Sequence, residues 1–571
     1  MCGISGIVGL KTDYSESIGL MVAIQSHRGP DASACFHENH VSLGHNRLSI
    51  IDLNESANQP FHSSCGRYCI VFNGEIYNYN NLKDKLPGVT FITRSDTEVL
   101  LELYIKYGPA MLEWINGMFS FAIWDKLNRR LFCARDRFGV KPFYYSFQKD
   151  TLFFASEIKA IHAAGIKREM NNEVFAEYFT KGTYGMPDES FWRGVHQLPG
   201  GHQLMYDLST NQLNIKSYYD FVTRISNTNE YHSIEELQEK YLNLITDAVS
   251  LRFVSDVPVG FNLSGGLDSS LLLSLINKIN PLIEDKIEAF SFYTGHQDYD
   301  ELPYVQQLLE GYSNPLNEVL LTTDLLPSLA EEMVRFQDEP YGGFPTIAYS
   351  QLFSRARKKG IKVLLDGQGM DEAWAGYDYY QSGSSHQTVQ GVSSSLTRVN
   401  VFDPDFILFA KEWEVPQPFD NRLQNMQYRD IFYTKIPRAL RFNDRASMQY
   451  SAELREPFLD FRLVEFAFAQ EEKWKINEGM GKWFLRKFAE AIVPKKLALA
   501  PKRPVQTPQR EWLRTDLKDW ADSHIQQLAQ QSFIRPEYLR KEWDLYQNGS
   551  SDNSFYVWQW INLNILFNSI K

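Results

Sequence analysis

From residue 1 to about residue 210, short apolar runs alternate with turn formers. ISGIVGL, RYCIVFNG, MFSFAIWD, RRLFCARD and TLFFASE are separated by Gly, Asn, Asp and Pro. Runs of this length between such residues predict β-strands. Among them DTEVLLELYIKYG has apolar residues at helical spacing behind an acidic start, as helix N-termini prefer. Strands with helices packed on them predict a layered α+β domain over residues 1–210. The polar stretch TRISNTNEYHS (223–233) lacks a core pattern, and 211–232 is read as a linker.

The texture then changes over residues 233–571. SIEELQEKYLNLITDAVSLRFV predicts a long amphipathic helix, and GFNLSGGLDSS reads as strand, glycine-rich turn and helix. KIEAFSFYT and KVLLDGQG are further buried strands with helical segments between them, and the last third is mostly helical. Strands alternating with helices predict a parallel α/β sheet of the doubly wound type. QSGSSHQTVQGVSSSL (381–396) is rich in Ser, Gly and Gln and is expected to form a mobile loop or weakly held insertion. Internal repeats are absent.

Composition narrows this picture. A chain of 571 residues is too long for one core. Its net charge of −12 argues against non-specific nucleic-acid binding, which needs a basic face. No apolar run approaches the roughly 18–20 residues that span a bilayer. The start MCGISGIVGLKTDY turns polar too soon for a signal peptide, so a cytoplasmic location is expected. All five cysteines (Cys2, Cys35, Cys65, Cys69 and Cys133) fall in the first quarter. Cys65 and Cys69 stand four apart without a second Cys/His pair, so they read as buried small hydrophobes rather than a metal site.

Cys2 alone reads as the first residue of a buried strand. If Met1 is removed, however, a thiol and an α-amine share one residue, and the neutral amine can take the thiol proton. Four stretches lend weight to that chemistry: SHRGPD (26–31), GHNRLSIID (44–52), FNGEIYN (72–78) and SDTE (95–98). Arg47 offers a fork for a carboxylate, while Glu75 and Asp96 offer acceptors for an α-ammonium group. Asn73 and the Gly74 N–H supply an oxyanion hole for attack on an amide carbonyl. Together these describe glutamine hydrolysis.

The motifs MCGI, HRGPD, RLSIID, NGEIYN and SDTE, with ARDRFGVKPFYY (134–145) after them, resemble the class II glutamine amidotransferase domain over about residues 1–205. The resemblance implies an N-terminal-nucleophile hydrolase fold, an αββα sandwich. It also implies that Cys2 is the nucleophile, that Arg47, Asn73, Glu75 and Asp96 hold glutamine, and that Asn73 with Gly74 stabilises the oxyanion.

LSGGLDSS (263–270) poses the second question. Ser264, Gly265, Gly266, Ser269 and Ser270 offer compact donors to phosphate at a strand-to-helix turn, and Asp268 could hold Mg2+. The GxxxxGK[ST] pattern is absent, so this is not a Walker A loop. SGGLDSS resembles the PP-loop of ATP pyrophosphatases. Behind a glutaminase, it makes nearly the whole chain similar to the asparagine synthetase family. LLDGQGMDEAWAGY (364–377), NDRASMQYSAELREPFLDFRLVEFA (443–467) and GKWFLRKF (481–488) carry the same resemblance. It implies an ATP site with Leu263, Phe292, Asp366 and Gly367, an acceptor site with Asp371 and Glu372, and Lys482 as the catalytic cation.

The resemblance implies ATP and Mg2+ as cofactors and small-molecule substrates, with a homodimer as one form the chain could take. The implied reaction is that of an ATP-dependent carbon–nitrogen ligase: ammonia released at Cys2 attacks β-aspartyl-AMP, giving asparagine, glutamate, AMP and pyrophosphate. Two departures bear on the acceptor. Gln368 stands where many relatives have Glu or Asp, and a neutral amide cannot act as a base. APKRPVQTPQREWL (500–513) replaces a commoner lysine-glycine-phenylalanine pattern. The same machine acting on another carboxylate, such as a sugar uronic acid or a secondary metabolite, is the alternative expectation.

Overall fold

The computed structural model describes residues 1–228, 231–381, 396–493, 498–499, 506–551 and 553–570. The stretch 381–396 lies outside them except for its two end residues, as do residues 500–505 of the second departure.

Among the described residues the first half forms two six-stranded antiparallel sheets. Gly3–Gly9 lies between Val41–Arg47 and Thr151–Ala155 in one; Tyr68–Ile76 pairs with Gly117–Asp125 in the other. Side-chain alternation explains why the sheets stack. Ile4 and Val8 meet Cys69, Val71 and Cys133 in a dry layer between the sheets. Their alternates turn outward: Ile7 joins Ile18 and Met21 of helix Ser15–Ile24, while Ile70 and Phe72 join Val99 and Leu103 of helix Asp96–Tyr107. Period-2 patterning on both sheets thus gives helix, sheet, sheet, helix. Cys65 departs from the expected burial: it is exposed in the turn between Phe61–His62 and Tyr68–Ile76.

The expected linker is largely structured. Gln212–Ser217 pairs with His202–Asp207 as an edge strand, and helix Phe221–Ser226 packs Phe221 against Phe432 and Phe468. The break between the halves therefore falls after Ser217 rather than at 210. Sequence composition missed this because an exposed edge strand needs few apolar residues. Helix Ile234–Leu251 begins where expected, with Ser233 Oγ accepting from Glu236 N at 3.2 Å.

The second half is built on a parallel sheet ordered Leu316–Leu320, Ala289–Tyr293, Val259–Asn262, Val363–Leu365 and Glu453–Arg455. Helices after its strands cover it, and the described C-terminal part is helical. The halves share their cores: Ile70 and Phe72 belong to the same buried cluster as Phe261 and Leu365.

Charges also lock them together. Arg28 is fully buried and donates to Asp444 through two nitrogens at 2.8 and 3.1 Å, and to Glu157 at 2.9 Å. Removing one partner of such a group leaves a buried charge uncompensated, at a cost of about 3–5 kcal/mol. Arg28→Met therefore lowers the thermal unfolding midpoint of the intact chain. An unchanged midpoint would refute the strut.

Candidate active sites

The first site sits at the opening strand. Cys2 is buried, and its N–H donates to Asn73 Oδ1 at 2.9 Å. Arg28 Nε donates to the Cys2 carbonyl at 3.0 Å. Burial pushes the Cys2 thiol up, against the pull of the nearby N-terminal amine, a backbone bond from Leu48 and the charge of Arg47. The amine of Met1 is itself buried, on Glu453 Oε2 at 2.9 Å.

Asn73 and Gly74 are neighbours on strand Tyr68–Ile76. Gly74 has φ +154, and a Cβ there would lie 2.1 Å from the Met118 carbonyl, so the strand can pass this close only with glycine. Two buried polar atoms beside Cys2 are placed to receive a ligand. Asn73 Nδ2, a donor, and Glu75 Oε2, an acceptor, are buried without hydrogen-bond partners. Such groups are costly unless something binds them. Glu75 Oε1 lies 3.7 Å from Arg455 Nη2, yet burial and then the charges of Glu453 and Asp96 raise its carboxyl well above the usual range. Asp96 starts helix Asp96–Tyr107 and accepts from Ile76 N at 2.9 Å; burial lifts it to about 6.

Arg47 is placed differently from a free carboxylate fork. Its Nη1 donates to the Asn54 carbonyl at 2.8 Å and Asn58 Oδ1 at 2.7 Å, and its Nη2 to the Ile51 and Asp52 carbonyls. It fixes the 51–58 loop beside Cys2.

The second site is a cavity of about 680 Å3 at the carboxyl ends of the parallel strands, where open α/β sheets bind ligands. Leu263, Ser264, Gly265, Gly266, Asp268 and Ser269 line one wall, with Phe292, Asp366, Gly367, Gln368, Asp371, Glu372 and Lys482 around it. Helix Leu267–Ile279 starts at this wall, its amide end toward the cavity. Gly265 N donates to Glu301 Oε2 at 3.4 Å, so the turn already holds an anion. Ser270 stands apart: it is fully buried, and its hydroxyl donates to the Gly266 carbonyl at 2.7 Å.

Lys482 ties the two walls together. Its ammonium donates to both Asp268 oxygens at 2.7 Å and lies 2.7 Å from Asp371 Oδ1. Burial alone would lower its pKa, but Asp268 and Asp371 outweigh burial and raise it. Its backbone is left-handed, φ 55, and its N–H bonds the Trp374 carbonyl at 3.1 Å; a non-glycine residue held so costs about 1–3 kcal/mol. Gly376 makes room for the pair, since a Cβ there would sit 2.0 Å from Asp371 Oδ1 and 2.4 Å from Lys482 Cε. Asp366 is half-buried, desolvation raises its carboxyl, and it accepts from Asn262 Nδ2 at 3.1 Å and from the Tyr349 hydroxyl.

Residue-type reasoning overlooked Glu453 and Arg455, which bring the parallel sheet to the first site. Their only signal was position in the segment 443–467 that carries the family resemblance.

Comparison with known proteins agrees with both halves. A glutamine amidotransferase domain model matches residues 1–219, and an asparagine synthase model matches residues 240–568. The chain belongs to the asparagine synthase family. It is thus an ATP-dependent, glutamine-hydrolysing ligase, with an N-terminal-nucleophile sandwich ahead of a parallel sheet. Asparagine synthetase [glutamine-hydrolyzing] 1 of Bacillus subtilis is 30% identical over 99% of this chain and 97% of its own length. Asparagine synthetase [glutamine-hydrolyzing] 3 of the same organism is 30% identical over 90% of each. Among solved structures, glutamine phosphoribosylpyrophosphate amidotransferase from B. subtilis aligns over 56% of this chain and 81% of its own, at 15% identity and a TM-score of 0.30. No described helix is long and apolar enough to cross a membrane.

Proposed function

We propose that this chain makes asparagine from aspartate, ATP and glutamine, by hydrolysing glutamine at Cys2 and adenylating the acceptor in the second cavity. The observation that carries the reading is strand Glu453–Arg455. Its Arg455 side chain meets Glu75 at the first site, while its backbone pairs with Val363–Leu365, which leads into Asp366 in the second. Relatives named as asparagine synthetases support aspartate as acceptor.

At the first site the α-amine of a Cys2 freed of Met1 takes the thiol proton, and the sulfur attacks the side-chain amide of glutamine. Asn73 Nδ2 and the Gly74 N–H meet the oxyanion. Glu75 and Asp96 accept from the substrate ammonium, and Arg47 holds the loop against it. At the second site the turn 264–269 receives the phosphates. Lys482 offsets charge as carboxylate oxygen displaces pyrophosphate at the α-phosphorus.

Asp268 and Asp371 fit Mg2+, which takes oxygen ligands; among the described residues no group of three or more His, Cys, Asp or Glu is placed to hold a metal, so the ion would be shared with substrate phosphates. When bound, Mg2+ would neutralise pyrophosphate charge.

A larger carboxylate is the second reading, because the cavity runs past Glu372 to Tyr184, Lys435, Arg438 and Phe555. Pyrophosphate release across candidate acceptors decides between them. Release with aspartate and stoichiometric AMP supports asparagine synthesis. Release with a uronic acid but not aspartate supports the alternative, and none with any acceptor refutes both.

The first site also predicts a pH dependence. Ammonium binding needs ionised carboxylates, and burial lifts Asp96 to about 6. Binding is therefore present above that pH and lost below it. Glutaminase kcat/KM falls at least about tenfold per pH unit as pH drops further, since Glu75 is raised as well and loses its charge too, and Asp96→Asn removes most activity. A wild-type profile flat down to pH 5 would exclude the role.

A further inference from the structure

Between the two sites lies a carboxyl group that neither uses. Glu456 is 5% exposed, and its Oε2 is buried without a hydrogen-bond partner. A buried carboxyl left unbonded is expensive, and in a native structure it calls for an explanation.

Its position follows from strand register. In the parallel pair, Leu365 stands opposite Arg455, and Asp366 N donates to the Arg455 carbonyl at 3.0 Å. That bond carries the pairing one step onward, so Asp366 and Glu456 emerge side by side at the carboxyl edge. Asp366 lines the nucleotide cavity next to Gly367 and Gln368. Glu456 stands beside it in the same row, directly after the strand whose Arg455 reaches Glu75 of the first half.

Charged groups around it lead back to Cys2. The Cys2 carbonyl accepts from Arg28, and Arg28 is bonded to Asp444. Asp444 acts on Glu456 together with Asp136, Asp366 and the ammonium of Lys141, which itself donates to the Leu454 carbonyl at 3.3 Å. With Asp444 already paired by Arg28, the carboxyls of Asp136, Asp366 and Glu456 stand against the Lys141 ammonium, in a buried setting that attracts a small cation and readily accepts a proton. Burial first, and then the excess of carboxylates over Lys141, lifts Glu456 to about 8.

Ammonia needs such a group. In water near neutral pH it is mostly ammonium, which has no lone pair for attack. Gln368, in the turn beside Asp366, cannot take the proton because an amide is not a base.

We propose that Glu456 is the base that delivers ammonia neutral to the acyl-adenylate. Ammonium gives its proton to the Glu456 carboxylate, leaving NH3 and a neutral carboxylic acid. The NH3 lone pair forms the C–N bond while the bond from the acyl carbon to the AMP oxygen breaks. The surplus proton on the new amide nitrogen leaves with AMP or water, and Glu456 returns its own proton to solvent before the next cycle. This inference rests on the two-site reading of function given above.

The test measures glutamate, pyrophosphate and amide product together in the full chain, for wild type, Glu456→Gln and Glu456→Asp. Wild type should form nearly one amide per glutamate. Glu456→Gln should lose amide formation by about 10–100-fold, within the range general base catalysis supplies, while glutamate release and isotopic exchange between ATP and pyrophosphate continue. The deficit should shrink as pH rises and free ammonia becomes abundant, and Glu456→Asp should recover part of the rate. A merely structural role would depress exchange as well and would not be relieved by pH.

Normal stoichiometry in Glu456→Gln, or a deficit independent of pH, overturns the proposal while leaving the two-site reading intact. Wild type that forms no pyrophosphate with any acceptor overturns both. If Glu456→Gln does not fold, Glu456→Ala takes its place: amide formation at the wild-type rate, or a deficit that does not shrink with pH, counts against the proposal.

Discussion

Replacing Cys2 by alanine abolishes glutamine-dependent synthesis by roughly four orders of magnitude or more, the loss typical of a removed nucleophile, yet leaves synthesis from added ammonium salts close to the wild-type rate. The split follows from geometry. Cys2 contacts Asn73 and Arg28 through its backbone, and those contacts survive loss of the thiol. The cavity holding Lys482 and the 264–269 turn is built from other elements. Amide formation from each nitrogen source, measured on one preparation, checks this. Loss of both activities would sink the two-site mechanism. Intact-mass measurement on the same sample tests its chemical premise, because active protein retaining Met1 would rule out the Cys2 amine as base.

Lys482→Ala reverses the pattern. It removes the cation between Asp268 and Asp371, so the phosphate turn and acceptor segment repel instead of sharing an ammonium. Removing one charge stabiliser of a transition state costs about 10²–10³ in kcat. Isotopic exchange between ATP and pyrophosphate should fall by at least that much, while glutamate release continues. Lys482→Arg should rescue poorly, since a planar fork cannot replace a compact ammonium in a space that Gly376 barely clears. Wild-type exchange in Lys482→Ala would remove the lysine from the chemistry.

Much of this arrangement was legible in the residues. Alternating apolar runs such as RYCIVFNG announced strands, and the acidic start of DTEVLLELYIKYG and the amphipathic spacing of SIEELQEKYLNLITDAVSLRFV announced helices. Short-range motifs also named groups that stand close in the structure: Asn73, Gly74 and Glu75 share one strand, and Ser264 to Gly266 form the turn into the helix that carries Asp268 and Ser269. Long-range partnerships were hidden because pairing across distant strands leaves no local trace. Nothing beside Arg47 in the sequence shows that its guanidinium binds carbonyls of the following loop. Nothing beside Glu453 shows that its charge crosses to the first strand. The polar composition of 211–217 concealed an edge strand for the same reason: its bonds, not its side chains, hold it.

The Arg28–Asp444 strut has a consequence in time. Its partners are separated by 416 positions, and at about 5–20 residues per second the ribosome delivers the aspartate roughly 20–80 seconds after the arginine. During that interval the first half can pair its own strands and bring Glu157 to Arg28, but the second carboxylate does not yet exist. The contact between the halves therefore waits for a segment that is made late. A stalled ribosome that displays only the first half should hold a looser, protease-sensitive sandwich. Release of the remaining chain, rather than more time, is what tightens it.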